Sequence, residues 1–145
     1  MKLDTIVVAT DGSGNGRRAI EHAAAVAGSS GARVVAVHVF EPLALLGRIE
    51  PPIDFAAQEV ATRRILHDEW CEPLARSGVT FEARLVENTP AEGILEVAEA
   101  VDADLIIVGA RGLSRLAELV LGSTSTTLLH EARSPVTVVP PVERA

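Results

Sequence analysis

The most informative feature of the chain is a glycine-bearing segment that ends in hydroxyl residues. Gly109-Ala110-Arg111-Gly112 is followed by nine residues and then by Gly122-Ser123-Thr124. Glycine tolerates positive φ and lets a backbone approach a ligand closely, because it carries no Cβ. Consecutive backbone N–H groups and a helix N-terminus form a concave, partly positive site that suits phosphate. Since the segment follows an apolar run and precedes a new helix, it predicts an anion cradle and, with it, nucleotide binding.

Five short segments rich in valine and isoleucine predict the strands that position this cradle. The first and fourth are apolar on both faces, as expected of central strands in a parallel sheet that helices cover on each side. The third alternates apolar with polar residues, which indicates a half-exposed strand at an edge. The five segments are Thr5–Ala9, Arg33–Phe40, Val79–Val86, Asp104–Gly109 and Val136–Pro140.

Helical patterns separate the strands. The first helix spans about residues 13–27, the second about 53–76 with Val60 and Ile65 in its apolar pattern, and the last about 123–132. Thr89-Pro90-Ala91-Glu92 combines an N-cap, a proline at the first helical position and a capping-box glutamate, which predicts a helix to about residue 101. The alternation predicts an α/β fold: a three-layer, open, doubly wound sheet of five parallel strands with helices on both faces.

In doubly wound sheets, ligands bind beyond the carboxyl ends of the strands, where the strand order reverses. In the common arrangement, strand order 3-2-1-4-5, the first and fourth strands are neighbours at that point. Glycine-rich segments follow both strands, Asp11–Gly16 after the first and Gly109–Gly122 after the fourth. We therefore expect both segments to face one crevice. Residues 41–52, with three prolines and a glycine, predict a mobile loop.

Length, charge and composition exclude several classes of function. At 145 residues the chain is long enough for a single core, so residues 1–145 are assigned to one domain. A net charge of −7 without a Lys/Arg cluster argues against a nucleic-acid partner. The lone Cys71 excludes an internal disulfide and is expected to be buried. Because no signal-peptide pattern and no run of about 20 apolar residues occurs, we expect a cytoplasmic protein with no membrane partner.

The spacing G-x-x-G, nine residues, G-S closely resembles the nucleotide-binding signature of the universal stress protein A family. The resemblance covers nearly the whole chain, and four segments follow one another with the family's spacing. It implies a Rossmann-like, adenine nucleotide alpha hydrolase-like fold and, because the glycines are kept, the ATP-binding branch of the family. The four segments are Ile6–Ser13, Ala36–Val39, Ala103–Gly109 and Ser134–Pro140.

The resemblance implies which residues meet the adenosine end of the nucleotide. Asp11, at the end of the first strand, matches the residue that contacts the adenosine moiety in ATP-binding members, and Thr10 beside it belongs to the same binding set. Val39 matches the position whose backbone meets the adenine edge. Asp11 has a second interpretation from its chemistry alone, because Asp and Ser at a strand–helix turn are good N-caps. We favour the nucleotide contact for Asp11 and the cap for Ser13.

The resemblance also implies the phosphate end of the site. Gly109 and Gly112 match the glycines near the ribose and the phosphates, where a side chain would occupy ligand space or forbid the backbone conformation. Gly122-Ser123-Thr124 matches the phosphate-binding turn. Arg111 lies in the same loop and is either a phosphate contact or a solvated surface arginine. The alternative for the glycines is a tight strand–helix connection without a ligand.

Other constellations are weaker. Gly12, Gly14 and Gly16 lack the G-x-G-x-x-G spacing of a dinucleotide-binding enzyme. His38 is expected to be a hydrogen-bonded core residue and the other three histidines to face solvent. No nucleophile-elbow pattern surrounds Ser123, so no catalytic residue is assigned. No Walker A lysine follows Gly122, so phosphoryl transfer lacks its usual charge stabilisation and any hydrolysis should be slow.

These observations predict an ATP-binding regulatory or protective module of the stress response, with Mg²⁺ or Mn²⁺ carried through the phosphates. A slow ATPase or adenylate-transferring enzyme and a nucleotide-free dimeric scaffold remain as alternatives. The valine-rich last strand would leave unpaired backbone groups at a sheet edge. The family pairs this strand across a two-fold axis, which implies a homodimer through Val136–Pro140 and leaves a further protein partner unidentified.

Overall fold

The computed structural model describes residues 2–41, 55–110 and 122–141 of the chain. Strands and helices alternate along these residues, with one turn of π-helix (Leu66–Trp70) inserted between the second and third α-helices. The strands are β1 Thr5–Ala9, β2 Arg33–Phe40, β3 Phe81–Glu87, β4 Leu105–Gly109 and β5 Val136–Val139. The helices are α1 Gly14–Ser30, α2 Phe55–Ile65, α3 Glu72–Arg76, α4 Pro90–Ala100 and α5 Ser123–Glu131.

The five strands form one sheet of order β3-β2-β1-β4-β5, and every neighbouring pair is parallel. The predicted fold class and strand order are therefore confirmed. The strand order reverses between β1 and β4, whose carboxyl ends lie side by side. β3 and β5 are the edge strands, as the alternation in the third segment and the position of the last one predict.

The core consists of two aliphatic layers, one on each face of the sheet. Ile6 and Val8 of β1 pack with α1, while Val7 between them packs with α4 and α5 on the opposite face. Side chains alternate across a strand, so a strand covered on both faces must be apolar at every position. This burial explains why β1 and β4 have no polar residues in their centres.

The predicted second helix is not continuous. It comprises α2, the π-helical segment and α3, and its apolar pattern does not mark a buried face throughout: Val60 is 69% and Ile65 37% exposed, whereas Leu66 is fully buried. A π-helical turn has more residues than an α-turn and so changes which residues face the core. Among residues 56–76, full burial therefore begins at Leu66 and continues at Cys71 and Leu74 of the following turns.

The helices α1 and α4 begin where the sequence predicts, but only one of the two predicted capping hydrogen bonds forms. Ser13 caps α1, where its Oγ accepts the Gly16 N–H at 3.1 Å. Thr89 has extended backbone angles at the start of α4, but its side chain makes no capping hydrogen bond, so the predicted capping box is wrong in this respect. The Thr89 N–H instead donates to Asn88 Oδ1 at 2.8 Å, which is a local alternative to the box.

Two further expectations concern the loop at residues 41–52 and the absence of a membrane span. The loop predicted at residues 41–52 lies, apart from Glu41, outside the described residues. Among the helices of the described ranges, none is long and apolar enough to cross a membrane.

Candidate functional site

A cavity of about 520 Å³ opens at the carboxyl ends of β1, β2 and β4. Because these strands are parallel, the helices that follow β1, β3 and β4 begin around it, and each helix N-terminus contributes partial positive charge. The cavity is lined by Ala9, Thr10, Asp11, Ser13, Gly14, Asn15, Gly16, Val37, His38, Val39, Pro90, Ile94, Val108, Gly109, Ala110, Gly122, Thr124 and Ser125.

The turn from β1 to α1 is held by two short side-chain bonds. Thr10 Oγ1 accepts the Gly12 N–H at 3.2 Å, and Asp11 Oδ1 accepts the Ser13 N–H at 2.9 Å. Gly12 has a φ of +80°, and a Cβ there would collide with the indole ring of Trp70. A glycine is therefore required at position 12 for two reasons, the positive φ of the backbone and the close packing of Trp70 on the turn.

Asp11 keeps a negative charge at the mouth of the cavity. Partial burial alone would raise its pKa, but hydrogen bonds from the Ser13 side chain and backbone, from its own backbone N–H, and the charge of His38 together lower the pKa below its ordinary value of 3.8. The Ser13 N–H donates to Oδ1, and because a carboxylate has about four acceptor positions, it can also accept a hydrogen bond from a ligand hydroxyl or amine. Asp11 thus holds the β1–α1 turn, whereas Ser13 is the N-cap of α1; the nucleotide contact of Asp11 stays a prediction.

Gly109 is required for a different reason from the predicted one. Its φ is not positive, and a Cβ there would lie 2.5 Å from the carbonyl oxygen and 2.9 Å from the carbonyl carbon of Asn15 in the first turn of α1. The expectation that a side chain at Gly109 would forbid the backbone conformation is therefore wrong, and the expectation that it would enter ligand space stays a prediction. The glycine allows α1 to begin against the end of β4, and this approach shapes the cavity.

The end of β2 supplies the wall that faces the β1–α1 turn. Val39 packs so closely against α4 that a Cβ on Gly93 would lie 2.6 Å from Val39 Cγ1. His38 Nδ1 lies 2.9 Å from the Thr10 carbonyl oxygen, and its ring meets Trp70 edge to face with centroids 5.1 Å apart. The prediction that His38 is hydrogen-bonded is confirmed, although the residue is half-buried at the cavity rather than enclosed in the core.

The start of α5 forms the remaining side. Gly122 is its N-cap, and the first backbone bond of the helix runs from the Thr126 N–H to the Gly122 carbonyl at 3.0 Å. The N–H groups of residues 123–125 therefore precede the first intrahelical donor and have no carbonyl acceptor one turn earlier in the helix. Thr124 and the buried Ser125 line the cavity, whereas Ser123 is exposed and is not part of its lining.

The structure brings most of the predicted site residues together. Arg111 and Gly112 lie outside the described residues, and Ser123 stands beside the cavity. The predicted residues that line it are Thr10, Asp11, Val39, Gly109, Gly122 and Thr124. Outside the two segments that were expected to face the crevice, lining residues that the sequence reasoning missed include Pro90, Ile94 and Ser125. Each of these residues lies in the first turns of a helix that follows a strand, and this position is the signal that would have found them.

Within the described ranges, ionisable side chains outside the cavity do not form a metal site. Three or more His, Cys, Asp or Glu side chains do not converge on a metal-sized site there. His22, His67 and His130 are exposed, as predicted. Cys71 is buried, also as predicted, and burial raises the pKa of its thiol to about 12, so the thiol stays protonated and unreactive at neutral pH.

Comparisons with known proteins identify relatives in sequence and in fold. A universal stress protein of Thermus aquaticus is 41% identical over 93% of this chain and 97% of its own length. A universal stress protein solved in complex with cAMP superposes with a TM-score of 0.74 at 28% identity and covers 97% of this chain and 98% of its own. The universal stress protein of Archaeoglobus fulgidus in complex with dAMP gives a TM-score of 0.64 at 25% identity, over 96% of this chain and 99% of its own.

The family assignment rests on the extent of the match as well as on the fold. The family model described as the universal stress protein family matches residues 2–140. The matched range includes all five strands and both glycine-rich segments. The chain belongs to the universal stress protein family.

Proposed function

We propose that the cavity binds ATP and that the protein is a nucleotide-responsive regulatory or protective module of the stress response. The observation that carries the proposal is the arrangement of the cavity at the strand-order reversal. One wall is the end of β2, where backbone groups extend past the end of β1, and the other is formed by the first turns of α1 and α5. A volume of about 520 Å³ falls within the range of small-molecule sites.

The adenine end is proposed at Val39. Backbone groups of alternate residues in a strand point to opposite neighbours, and those of Val37 point towards β1, since the Val37 carbonyl accepts the Thr10 N–H at 3.0 Å. The N–H and C=O of Val39 point the same way, but the β1–β2 register ends at the pair Ala9–Val37. An adenine ring can occupy this position as a strand would, accepting the Val39 N–H at N1.

The phosphate end is proposed at the starts of α1 and α5. The cavity includes Gly14 and Asn15 on one side and Gly122 and Thr124 on the other, so anionic oxygens between them would meet the positive ends of two helix dipoles. Asp11, which lies between the two ends, suits a ribose hydroxyl because an ionised carboxylate only accepts hydrogen bonds. Ser123, Arg111 and Gly112 remain proposed phosphate contacts.

A divalent cation would be held through the nucleotide. Asp11 is an acidic residue of the described lining, and one carboxylate is too few protein ligands for a dedicated cation site. We therefore propose that Mg²⁺ or Mn²⁺, when present, takes its oxygen ligands from the phosphates and from water. The complexes of the two neighbours with cAMP and dAMP support an adenine nucleotide and leave the number of phosphates to experiment.

The test is the identity of the nucleotide that the protein carries. Purified protein is denatured, and the released nucleotide is separated by anion-exchange chromatography. Recovery of ATP supports the proposal, recovery of ADP or AMP favours slow turnover, and a nucleotide-free protein that ATP also fails to stabilise favours the scaffold. For quantification, ATP at about 100 times its Kd should raise the free energy of unfolding by roughly 2.7 kcal/mol, read as a thermal shift. cAMP and dAMP at equal concentrations serve as comparison ligands.

We also propose that the exposed edge of β5 pairs with a second copy of the chain. An unpaired edge strand is an association site unless it is covered, and Leu129 on the adjacent α5 is 50% exposed. Sedimentation of the wild type should give a dimer, and Val138→Lys should give a monomer. Thr80→Lys, which adds the same charge near the opposite edge, is the control. An unchanged dimer in Val138→Lys would place the interface elsewhere.

A further inference from the structure

The end of β2 contains an interrupted hydrogen-bond ladder. In a pair of parallel strands, one residue makes two hydrogen bonds to the neighbouring strand. Its N–H donates to the carbonyl of one residue there, and its carbonyl accepts the N–H of the residue two positions further along that strand. The Thr10 N–H donates to the Val37 carbonyl, so regular pairing would bring the Val39 N–H to the Thr10 carbonyl. Within the described residues no such bond forms, although both groups lie at the same end of the sheet.

His38 takes the place of the missing donor. Its Nδ1 lies 2.9 Å from the Thr10 carbonyl oxygen. A carbonyl oxygen only accepts, so Nδ1 carries the proton in this contact, whether the ring is neutral or charged. The carbonyl is therefore satisfied by a side chain of β2, and the neighbouring backbone N–H of Val39 is left directed at the cavity.

The ring of His38 is held in position by packing. Trp70, in the π-helical segment, meets it edge to face at 89°. Trp70 in turn lies against Gly12, where a side chain would collide with the indole. The contact with Thr10 thus depends on two features that local helix and strand propensity disfavour, a π-helical turn and a glycine with positive φ.

We propose that His38 is the positioning residue for adenine recognition. Its Nδ1–H donates a hydrogen bond to the Thr10 carbonyl and thereby keeps the Val39 N–H available to N1 of the base. The inference rests on the proposed ATP function of the same cavity and adds the residue that sets base selectivity. Without the imidazole donor, the Val39 N–H completes the ladder to Thr10 and is withdrawn from the ligand.

The test compares ATP with 1-deaza-ATP, which lacks the N1 acceptor. The wild type should bind ATP about five- to tenfold more tightly than the analogue, the size expected for one hydrogen bond. His38→Phe keeps an aromatic ring beside Trp70 but has no donor, and it should bind both ligands equally weakly. His38→Asn loses the ring but places an amide N–H near the position of Nδ1, and it should recover most of the preference.

Three results would overturn the role of His38. One is a preference for ATP that survives in His38→Phe. Another is a preference that is lost in His38→Asn as well as in His38→Phe, because selectivity would then follow the imidazole ring itself rather than the hydrogen bond to Thr10. A third is a wild type that binds both nucleotides equally.

A measurement without ligand separates this inference from the proposed function. Nitrogen-15 NMR of the nucleotide-free protein should show neutral His38 protonated at Nδ1. Amide hydrogen exchange should be faster at Val39 than at Val37, and the exchange of the Val39 amide should slow down in His38→Phe. A proton on Nε2 with a bare Nδ1, or equal protection of the two valines, would refute the inference. If ATP does not bind the wild type at all, the proposed function fails while these two measurements still decide the role of His38.

Discussion

Replacement of Gly109 by alanine tests whether the approach of α1 to β4 shapes the cavity. The new Cβ would lie 2.5 Å from the Asn15 carbonyl oxygen, and the neighbour is backbone, so no side-chain rotation can relieve the contact. Ordinary contact begins at 3.4 Å, and the start of α1 must therefore move by about 0.9 Å (3.4 minus 2.5) or β4 must yield by the same amount. Either movement displaces residues of the cavity wall.

The expected loss of stability follows from the overlap. Overpacking of a close contact costs about 1–3 kcal/mol. The alanine also restricts the unfolded chain, which offsets roughly 0.4–1 kcal/mol. The middle of these two ranges gives a net loss of about 1–2 kcal/mol. For a chain of this size each kcal/mol moves the Tm by roughly 2–4 °C. Gly109→Ala should therefore lower the Tm by about 2–8 °C.

The assay is thermal denaturation with and without ATP, with Gly28→Ala as the matched control. Gly28 also has an ordinary φ, but a Cβ there meets nothing within 4 Å, and its position inside α1 favours alanine by about 0.5–1 kcal/mol. The control should therefore be as stable as the wild type or more so, with an unchanged ATP-induced shift. If Gly109→Ala behaves like Gly28→Ala in both measurements, the argument from the Asn15 contact is refuted.

Three further predictions concern groups around the sheet. Ser13→Ala removes the α1 cap and should cost about 1 kcal/mol in urea denaturation, while Ser13→Asp should restore most of it; equal stability of all three proteins would contradict the cap. Hydrogen bonds from the N–H groups of Asp4 and Thr5 lower the pKa of Asp104, so this carboxylate stabilises the fold above its unfolded pKa near 3.8, and the stabilisation disappears as the pH falls through the lower folded pKa. Asp104→Asn should flatten the loss of stability below pH 4, and an identical acid transition would refute this. The Cys71 thiol should react with a thiol reagent at pH 8 only at the rate of unfolding, because burial raises its pKa to about 12; rapid labelling of the native protein would contradict this.

Much of the fold was predictable because it depends on patterns within single elements. Apolar residues on both faces mark β1 and β4 as central, and the alternation in the third segment marks an edge. The start of α1 at Ser13 was predictable for the same reason, since a cap bond joins residues three apart. The exposure of Val60 and Ile65 was not predictable from the sequence, because the π-helical turn that redirects the helix is stabilised by packing on the sheet.

The candidate site was predictable where it follows from topology. Thr10 and Asp11 directly follow β1 and Gly109 ends β4, and the carboxyl ends of neighbouring parallel strands meet at one edge of the sheet. The part played by His38 was not predictable from the sequence. A histidine among valines shows neither the ring partner nor the carbonyl that its Nδ1 reaches, and both lie on other elements.

The sequence by itself determined the type and order of the elements, because periodicity, capping and turn chemistry act between near neighbours in the chain. Its motifs and their spacing also pointed to the family. Only the tertiary structure decided why Gly109 must be a glycine and which donor satisfies the Thr10 carbonyl. Asn15 and His38 come from other elements, and their distances depend on how those elements pack. No local pattern encodes that packing, so the physical reason for each residue became visible only in three dimensions.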